Sequence, residues 1–309
     1  SHMPVEVGGM GIGVVGLALV NEIIGRSPLG PIIFGCQAPD AGNCEILYLY
    51  GTEAQKKRYL LPNVAGEIRS CFSMTEPEVS GADPTNLQTT AILDGGEWVI
   101  NGHKWFTSGA IGAAFAIVMA KTDPEAPSHR RFSMIIVPTD TPGFNLIRPV
   151  PVMGHVRGGG HCEIRYENCR VPAKNLLGPR GEGFRIAQSR LGPGRIQHCM
   201  RWLGVAQRSF ELMCRHVLGR EAFGGKLADK QTIQNWIADS KAEIDAARFM
   251  TLHAAWKMDQ KLDARVEVSL IKFFGARVLH DVIDRAIQAH GALGISGDTP
   301  LELFYRDAR

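Results

Sequence analysis

Residues 71–86 read CFSMTEPEVSGADPTN and residues 100–110 read INGHKWFTSGA, and these two stretches decide how the chain is interpreted. Both contain small hydroxyl residues beside glycines and prolines, which hold the backbone in conformations that other residues rarely adopt. Taken alone, MTEP is as typical of a helix N-cap or turn as of a binding loop. Trp105 alone is equally typical of ordinary core. Whether these stretches bind a ligand or are an ordinary turn and core therefore depends on the sequence around them.

From about Cys71 to Gly178 the chain has short apolar stretches separated by turn signals. The stretches are TTAIL, EWVI, KWFTSG, AFAIVMA, RFSMIIV and CEIRYENCRV, and the turn signals are Asp94-Gly95-Gly96, Asn101-Gly102 and Pro142-Gly143. This texture predicts an antiparallel β domain.

The regions on either side of this domain have helical periodicity. Apolar residues recur from Val14 to about Tyr59, with a proline and glycine break before a second segment at 45–61. Beyond Gly183 one apolar stripe predicts a long helix, with two or three more helices to follow. The residues of the stripe are Ile196, Cys199, Met200, Leu203, Ala206, Phe210, Met213 and Val217.

Composition excludes several classes of protein. The 309 residues are 45% hydrophobic and 21% charged, with a formal net charge of +3, which is too small to predict a nucleic-acid surface. The apolar run 110–120 is too short for a membrane span. Seven scattered cysteines without a C-x-x-C pair predict a reducing compartment and no disulfide framework. His155, His161, Cys162 and Glu163 have glycine-rich spacing that fits no zinc pattern, so no metal site is predicted.

Residues 11–16, GIGVVG, have the G-x-G-x-x-G spacing of a dinucleotide-binding turn. Such a turn follows a buried strand and opens a βαβ unit, but PVEVG is a poor strand and the later segments never alternate β with α. We therefore interpret the spacing as accidental and as a glycine-rich entry to a tightly packed helix.

The two opening stretches, taken together, resemble the TEPE-type loop and the NG-x-K-x-W-I/F-T/S-x-G segment of the acyl-CoA dehydrogenase family. The resemblance extends over nearly the whole chain, through GTEAQKKRYLLPNVAGE at 51–67, GREAFGGKLADKQ at 219–231 and QAHGALG at 288–294. EPEVSGAD, SRLGPGRIQHCMR and GGHCEI are similar to the subgroup that contains the human members ten and eleven.

The resemblance implies an α+β fold in three parts. These are a remnant of an N-terminal helical domain (1–70), a central antiparallel β domain (71–178) and a C-terminal four-helix bundle (179–309), incomplete at its end. It implies FAD as the cofactor, bound by residues of the β domain and of the bundle rather than by GIGVVG.

The resemblance also implies roles for single residues. Met74 and Thr75 are expected to contact the flavin ring, Trp105 to pack against it, and the Thr107 hydroxyl to donate towards flavin N5. The loop departs from the family pattern, because it is one residue longer and Gly81-Ala82 replaces the serine that contacts the FAD diphosphate in relatives. Ser80 and Gly81 are the residues expected to bind the cofactor there. The set expected to reach the adenine and diphosphate end of FAD in a neighbouring subunit is Arg220, Phe223, Gln231, Gln288 and Gly291.

Arg195 matches the arginine that orients the catalytic carboxylate and the substrate in the family. That carboxylate, a Glu or an Asp, is expected beyond Arg309, so the resemblance implies that the 309 residues are part of a longer polypeptide. The start, SHM, is typical of an expression-tag remnant.

The function implied is FAD-dependent α,β-dehydrogenation of an acyl-CoA thioester to a trans-2-enoyl-CoA in fatty-acid β-oxidation, with electrons passed to an electron-transfer flavoprotein. Two alternatives stay open: a non-catalytic FAD- or acyl-CoA-binding relative, and a flavin oxidase or monooxygenase on the same fold. We expect a homodimer or homotetramer, cytoplasmic in a bacterium or in the mitochondrial matrix of a eukaryote.

Overall fold

The computed structural model describes residues 3–156 and 159–309, so Ser1 and His2 of the tag-like start lie outside the described residues. Contacts divide the chain into two compact units, residues 1–11 with 35–191 and residues 12–34 with 192–309. The predicted domain ranges stay a prediction, and the contacts add that residues 12–34 pack within the second unit.

The helices of the described residues are α1 (Gly13–Gly25), α2 (Gly30–Ile33), α3 (Asp40–Tyr50), α4 (Glu53–Gln55), α5 (Leu61–Ala65), α6 (Gly183–Gly219), α7 (Gln231–Asp259), α8 (Arg265–His290) and α9 (Leu301–Ala308). The strands are β1 (Ser70–Ser73), β2 (Thr90–Asp94), β3 (Glu97–Ser108), β4 (Phe115–Lys121), β5 (Phe132–Pro138), β6 (Phe144–Pro149), β7 (His161–Pro172), β8 (Leu176–Leu177), β9 (Glu221–Ala222) and β10 (Gly225–Lys226).

In the first unit, one eight-stranded sheet has the order β6-β7-β3-β2-β4-β5-β8, and β1 pairs with β4. The predicted β domain is confirmed, and its pairings are antiparallel except those of β1 and β2 with β4, which are parallel. Strands β4 and β5 are buried at all but their last residue because their apolar runs are covered on both faces.

The turns of the sheet follow the sequence signals in one case and depart from them in another. Asp94 pairs with Glu97 across a two-residue turn, as Gly95-Gly96 predicts. Asn101-Gly102 is not a turn but lies inside β3, at a shift in register with β7. A side chain at Gly102 would come within 2.3 Å of the Thr89 hydroxyl, so glycine is required there by close packing.

One correction applies to the N-terminal helices. The segment 45–61, expected as one helix, is interrupted at Gly51, where α3 ends. Thr52 then starts a new helix with a capping box, because its hydroxyl accepts from the Gln55 amide at 3.2 Å and the Gln55 side chain accepts from the Thr52 amide at 3.0 Å.

The second unit is helical, and the stripe predicted on α6 is confirmed. From Ile196 to Val217 its residues are buried except Phe210, which is partly buried against the same core. The core is completed by buried residues of α7, α8 and α9, and by Ala18 of α1. No described helix contains an apolar stretch that could cross a membrane.

Candidate functional site

The two opening stretches lie side by side in the first unit. The Trp105 amide donates to the Thr75 carbonyl at 3.0 Å, and the Thr75 hydroxyl donates to the Trp105 carbonyl at 2.8 Å. Met74 and Thr75, which follow β1 directly, are therefore fixed against β3 by two hydrogen bonds between the same two residues. The structure brings Met74, Thr75 and Trp105 together, and their contacts with a flavin stay a prediction.

Strand β3 is irregular at this point. Its register with β7 shifts between Lys104 and Thr107, and Phe106 has a φ of 49°, which is uncommon for a residue with a side chain. The rings of Trp105 and Phe106 lie 4.7 Å apart at 52°, and Phe106 is 43% exposed. The irregularity therefore leaves an aromatic surface at the strand edge, where a flat ligand can pack.

A buried hydroxyl chain lies behind this surface. The Tyr166 hydroxyl donates to Ser73 Oγ at 3.1 Å, and Ser73 Oγ lies 3.2 Å from Thr107 Oγ1. Thr107 has no exposed surface. Thr107 Oγ1 thus lies beside Ser73 Oγ, and the hydrogen bond expected from its hydroxyl to flavin N5 stays a prediction.

Lys104 is a site residue that the sequence reasoning missed. It is fully buried, and its ammonium donates to the Met74 carbonyl at 2.7 Å and to Glu76 Oε1 at 2.8 Å. Glu76 also accepts from the amides of Gln88 and Thr89, at 2.6 and 2.9 Å. This buried ion pair thus holds the MTEP loop against β3.

The electrostatics of this pair follow from burial and from its partners. Burial lowers the pKa of Lys104 to about 8, although the Glu76 charge opposes this. Burial raises the pKa of Glu76, but Lys104 and the amide donors lower it by more in total, so it lies below its usual value. Its position between His103 and Trp105 gives no local signal of burial, because the partner Glu76 lies 28 residues away in the sequence.

The loop after Glu76 is held by its own side chains. The Ser80 hydroxyl accepts weakly from the Ala82 amide at 3.3 Å, and a side chain at Gly81 would lie 3.2 Å from the Thr75 methyl. Asp83 accepts from Thr85 and Asn86. Ser80 and Gly81 are exposed, so their expected contact with the cofactor stays a prediction that the loop geometry permits.

In the second unit, Arg195 is half-buried on α6. Burial is the main cause of the lowered pKa of Lys272 on α8, and the Arg195 charge adds to it. Arg195 and Lys272 are therefore close enough for their charges to repel each other within the helical unit.

Arg220 directly follows α6 and is exposed, and its side chain has no acidic partner among the described residues. Phe223 is at the tip of the β9–β10 hairpin, 95% exposed and with a φ of 52°. Gln231 is the first residue of α7, where its side chain donates to Asn235. These three residues surround one exposed hairpin.

The turn predicted at 288–291 lies at the C-terminal end of α8. The Gly291 amide donates to the Gln288 carbonyl, and Gly291 has φ 62° and ψ −138°, a conformation that favours glycine. The rings of His216 and His290 stack at 4.1 Å, which brings the end of α6 next to the end of α8. Arg220 and the Gln288–Gly291 turn are thereby neighbours within the unit.

The GIGVVG stretch has a different use. In the described residues before it, Val5–Val7 form a 3-10 turn rather than a strand. At the N-terminus of α1, the amides of Val14 and Val15 donate to the two carboxylate oxygens of Asp259, at 2.7 and 2.9 Å. A carboxylate of the chain itself thus occupies the helix end where a nucleotide phosphate would bind.

The groups considered for a metal have other partners. His161 Nδ1 lies 2.8 Å from the Ser108 hydroxyl, and Glu163 accepts from Arg148 at 2.8 Å and lies 3.0 Å from His103 Nε2. In residues 3–156 and 159–309, no group of three or more His, Cys, Asp or Glu is arranged to hold a metal.

FAD combines a flat aromatic ring system with a diphosphate, and the donor set in each unit fits one part of it. The half-buried Trp105 beside exposed Phe106 fits the ring system, because an aromatic wall excludes water there. The exposed guanidinium of Arg220 fits the diphosphate, since arginine donates two parallel hydrogen bonds to such groups.

Comparison with known proteins gives a consistent result. The description "Acyl-CoA dehydrogenase, N-terminal domain" matches residues 1–67, the corresponding middle domain 71–169 and the C-terminal domain 181–309. The chain is 52% identical over 93% of its length to "Probable acyl-CoA dehydrogenase FadE2" of Mycobacterium tuberculosis, of which it covers 72%.

Two further relatives extend this similarity. Acyl-CoA dehydrogenase family member 11 of Mus musculus is 46% identical over 96% of the chain, which spans only 39% of that protein. The solved butyryl-CoA dehydrogenase of Megasphaera elsdenii matches with a TM-score of 0.89 and 29% identity, over 99% of this chain and 80% of that one.

Proposed function

Because the chain belongs to the acyl-CoA dehydrogenase family of flavoprotein oxidoreductases, we propose that it uses FAD to dehydrogenate an acyl-CoA thioester between its α and β carbons. The product is a trans-2-enoyl-CoA, and the electrons pass to an electron-transfer flavoprotein. The observation that carries the proposal is the double hydrogen bond between Thr75 and Trp105, which joins the two family motifs at one aromatic surface.

The chain's own residues prepare this surface in three ways. Trp105 and Phe106 exclude water from one side of a bound ring. Thr75 fixes Trp105, and Lys104 fixes the Met74 carbonyl. Trp105 and Met74 therefore do not have to reorganise when FAD binds. FAD, when bound, supplies the hydride acceptor for the substrate β carbon. Preorganisation of this kind is the usual source of catalytic stabilisation in such sites.

The residues of the helical unit have a separate role in the proposal. Arg220 and the Gln288–Gly291 turn bind the diphosphate and adenine end of FAD, and Phe223 and Gln231 border it. As the resemblance implies, that FAD belongs to a neighbouring subunit, so the enzyme is a homodimer or a homotetramer. Arg195 orients the acyl-CoA and the carboxylate that removes the α-proton.

The first experiment is anaerobic titration of the purified protein with a panel of straight-chain and branched acyl-CoAs. We expect bound flavin that is released as FAD on denaturation, bleaching of its visible absorption by at least one acyl-CoA, and reoxidation by an electron-transfer flavoprotein. Flavin without bleaching by any acyl-CoA would favour the non-catalytic alternative. Release of peroxide in air at the rate of turnover would favour the oxidase alternative.

A matched pair of tryptophan variants tests the assignment of the ring surface. We expect Trp105→Leu to lose FAD, whereas Trp256→Leu, at a 48% exposed position on α7, keeps it. Equal FAD content in the two variants would contradict the role given to Trp105.

A further inference from the structure

Two histidines from separate helices stack beside the turn that closes α8. His216 lies in the last turn of α6 and His290 is the last residue of α8, with ring centroids 4.1 Å apart and planes at 23°. Nδ1 of His290 lies 2.7 Å from the Ala286 carbonyl, which can only accept, so this nitrogen carries the hydrogen. The His290 ring is therefore fixed in orientation and in tautomer, and His216 stacks on a rigid partner.

Arg220 is four residues beyond His216, on the same side of the helix end. Burial lowers the pKa of His216, and the charges of His290 and Arg220 lower it further. The carbonyl end of a helix favours a cation by only about 0.3–1 kcal/mol, and the net direction of the pKa shift is downward. The free protein thus disfavours the protonated form of His216, which lies one helical turn before the exposed Arg220.

Among the described residues, few charged groups act on His216, and those that lower its pKa are His290 and Arg220. The neighbouring hydrophobic cluster includes Ile233 of α7 and Leu301 of α9, and both side chains are uncharged. A proton on His216 would therefore be stabilised chiefly by an anion bound from outside.

We propose that His216, His290 and Arg220 form one anion-binding site, and that His216 takes up a proton from solvent when the diphosphate of FAD binds there. The proposal rests on the proposed function, which gives Arg220 the diphosphate. A nearby anion favours the imidazolium, because it opposes the repulsion from Arg220 that disfavours this form in the free protein.

The pH dependence follows from the two protonation states. The pKa of His216 in the free protein lies below its ordinary value of 6.5, and the bound diphosphate raises it. Between the free and the bound pKa, each FAD that binds takes up a proton, so FAD binds more tightly as pH falls, by up to about tenfold per pH unit. Outside that window the affinity is independent of this group.

The test uses FAD and the full chain freed of its flavin. Binding is followed by flavin fluorescence from about pH 5 to about pH 8, the range in which histidine titrates. Calorimetry in buffers of different ionisation enthalpy counts the protons taken up by the unaltered protein. We expect His216→Phe to lose the pH dependence. His253→Phe should keep it, because His253 stacks on Trp256 in α7 without Arg220 nearby.

The outcomes separate this inference from the proposed function. Proton uptake on FAD binding that disappears in His216→Phe supports the inference. FAD binding without proton uptake, or with the same pH dependence in both variants, overturns the inference and leaves the proposed function standing. Failure to bind FAD at every pH overturns both.

Discussion

The hydroxyl of Thr75 donates to the carbonyl of Trp105 at 2.8 Å, while the amide of Trp105 donates to the carbonyl of Thr75 at 3.0 Å. Thr75→Val removes the first bond and keeps the shape of the side chain. We expect a loss of about 1 kcal/mol in the free energy of unfolding and a weaker affinity for FAD, measured by urea denaturation and by fluorescence titration.

Thr90→Val is the control for this change. The Thr90 hydroxyl also points at a carbonyl of β3, that of Asn101, but at 3.5 Å the hydrogen bond is marginal. This variant should bind FAD as the unaltered protein does. Equal effects on FAD affinity at positions 75 and 90 would contradict the special role of Thr75.

Lys104→Met leaves Glu76 as a buried charge without its cation. Loss of one partner from a buried ion pair costs about 3–5 kcal/mol, so the urea midpoint should fall sharply. Adding Glu76→Gln should restore part of that loss, since the second change removes the uncompensated charge. Lys241→Met breaks an exposed pair with Asp245 and should change stability far less. A Lys104→Met variant as stable as Lys241→Met would show that the interior pair contributes nothing.

Replacement by alanine should change stability in opposite directions at two glycines, Gly275 within α8 and Gly291 at its end. Gly291 has a φ of 62°, so Gly291→Ala should destabilise by about 1–3 kcal/mol although there is space for the methyl group. Gly275 is helical and no heavy atom lies within 4 Å of an added Cβ. Gly275→Ala should therefore stabilise by about 0.5–1 kcal/mol. Thermal or urea unfolding measures both, and changes of the same sign would refute this account.

The thiol of Cys214 should react faster than those of the other cysteines. Cys214 is partly exposed, and the other cysteines are buried. Burial raises the pKa of Cys44 to about 12 and the pKa values of Cys169 and Cys199 to about 11, and the thiolate is the reactive form.

A disulfide reagent should therefore titrate at most one thiol in the native protein and seven in denaturant. Cys214→Ser should remove the native reaction. Two thiols that react at similar rates in the native protein would be inconsistent with this burial.

Features set by local chemistry could be predicted from the sequence. Two consecutive glycines are typical of a tight turn, so the Gly95-Gly96 turn could be predicted. The α6 stripe could be predicted from its helical period. The motif at Thr75 and Trp105 identified the family because both halves lie in its order and spacing. These signals lie within short segments, and they were confirmed where the comparisons or the structure test them.

Features that depend on distant partners could not be predicted. Lys104 stands between His103 and Trp105 in the sequence, and the Glu76 loop, folded over it, makes it an interior residue. Asn101-Gly102 has the composition of a turn, yet close packing against Thr89 keeps it in a strand. The stack of His216 on His290 joins the ends of two helices, and nothing local to either residue indicates it.

The contact between Val14 and Asp259 spans 245 residues of sequence, and this separation sets a delay during synthesis. At about 5–20 residues per second, roughly ten to fifty seconds pass before the ribosome adds the carboxylate that caps α1. For much of that interval the inward face of α1, with Leu17 and Ala18, lacks the helices that bury it in the finished protein. The nascent chain is thus exposed to aggregation at α1, and the yield of folded protein should depend on chaperones that bind this segment.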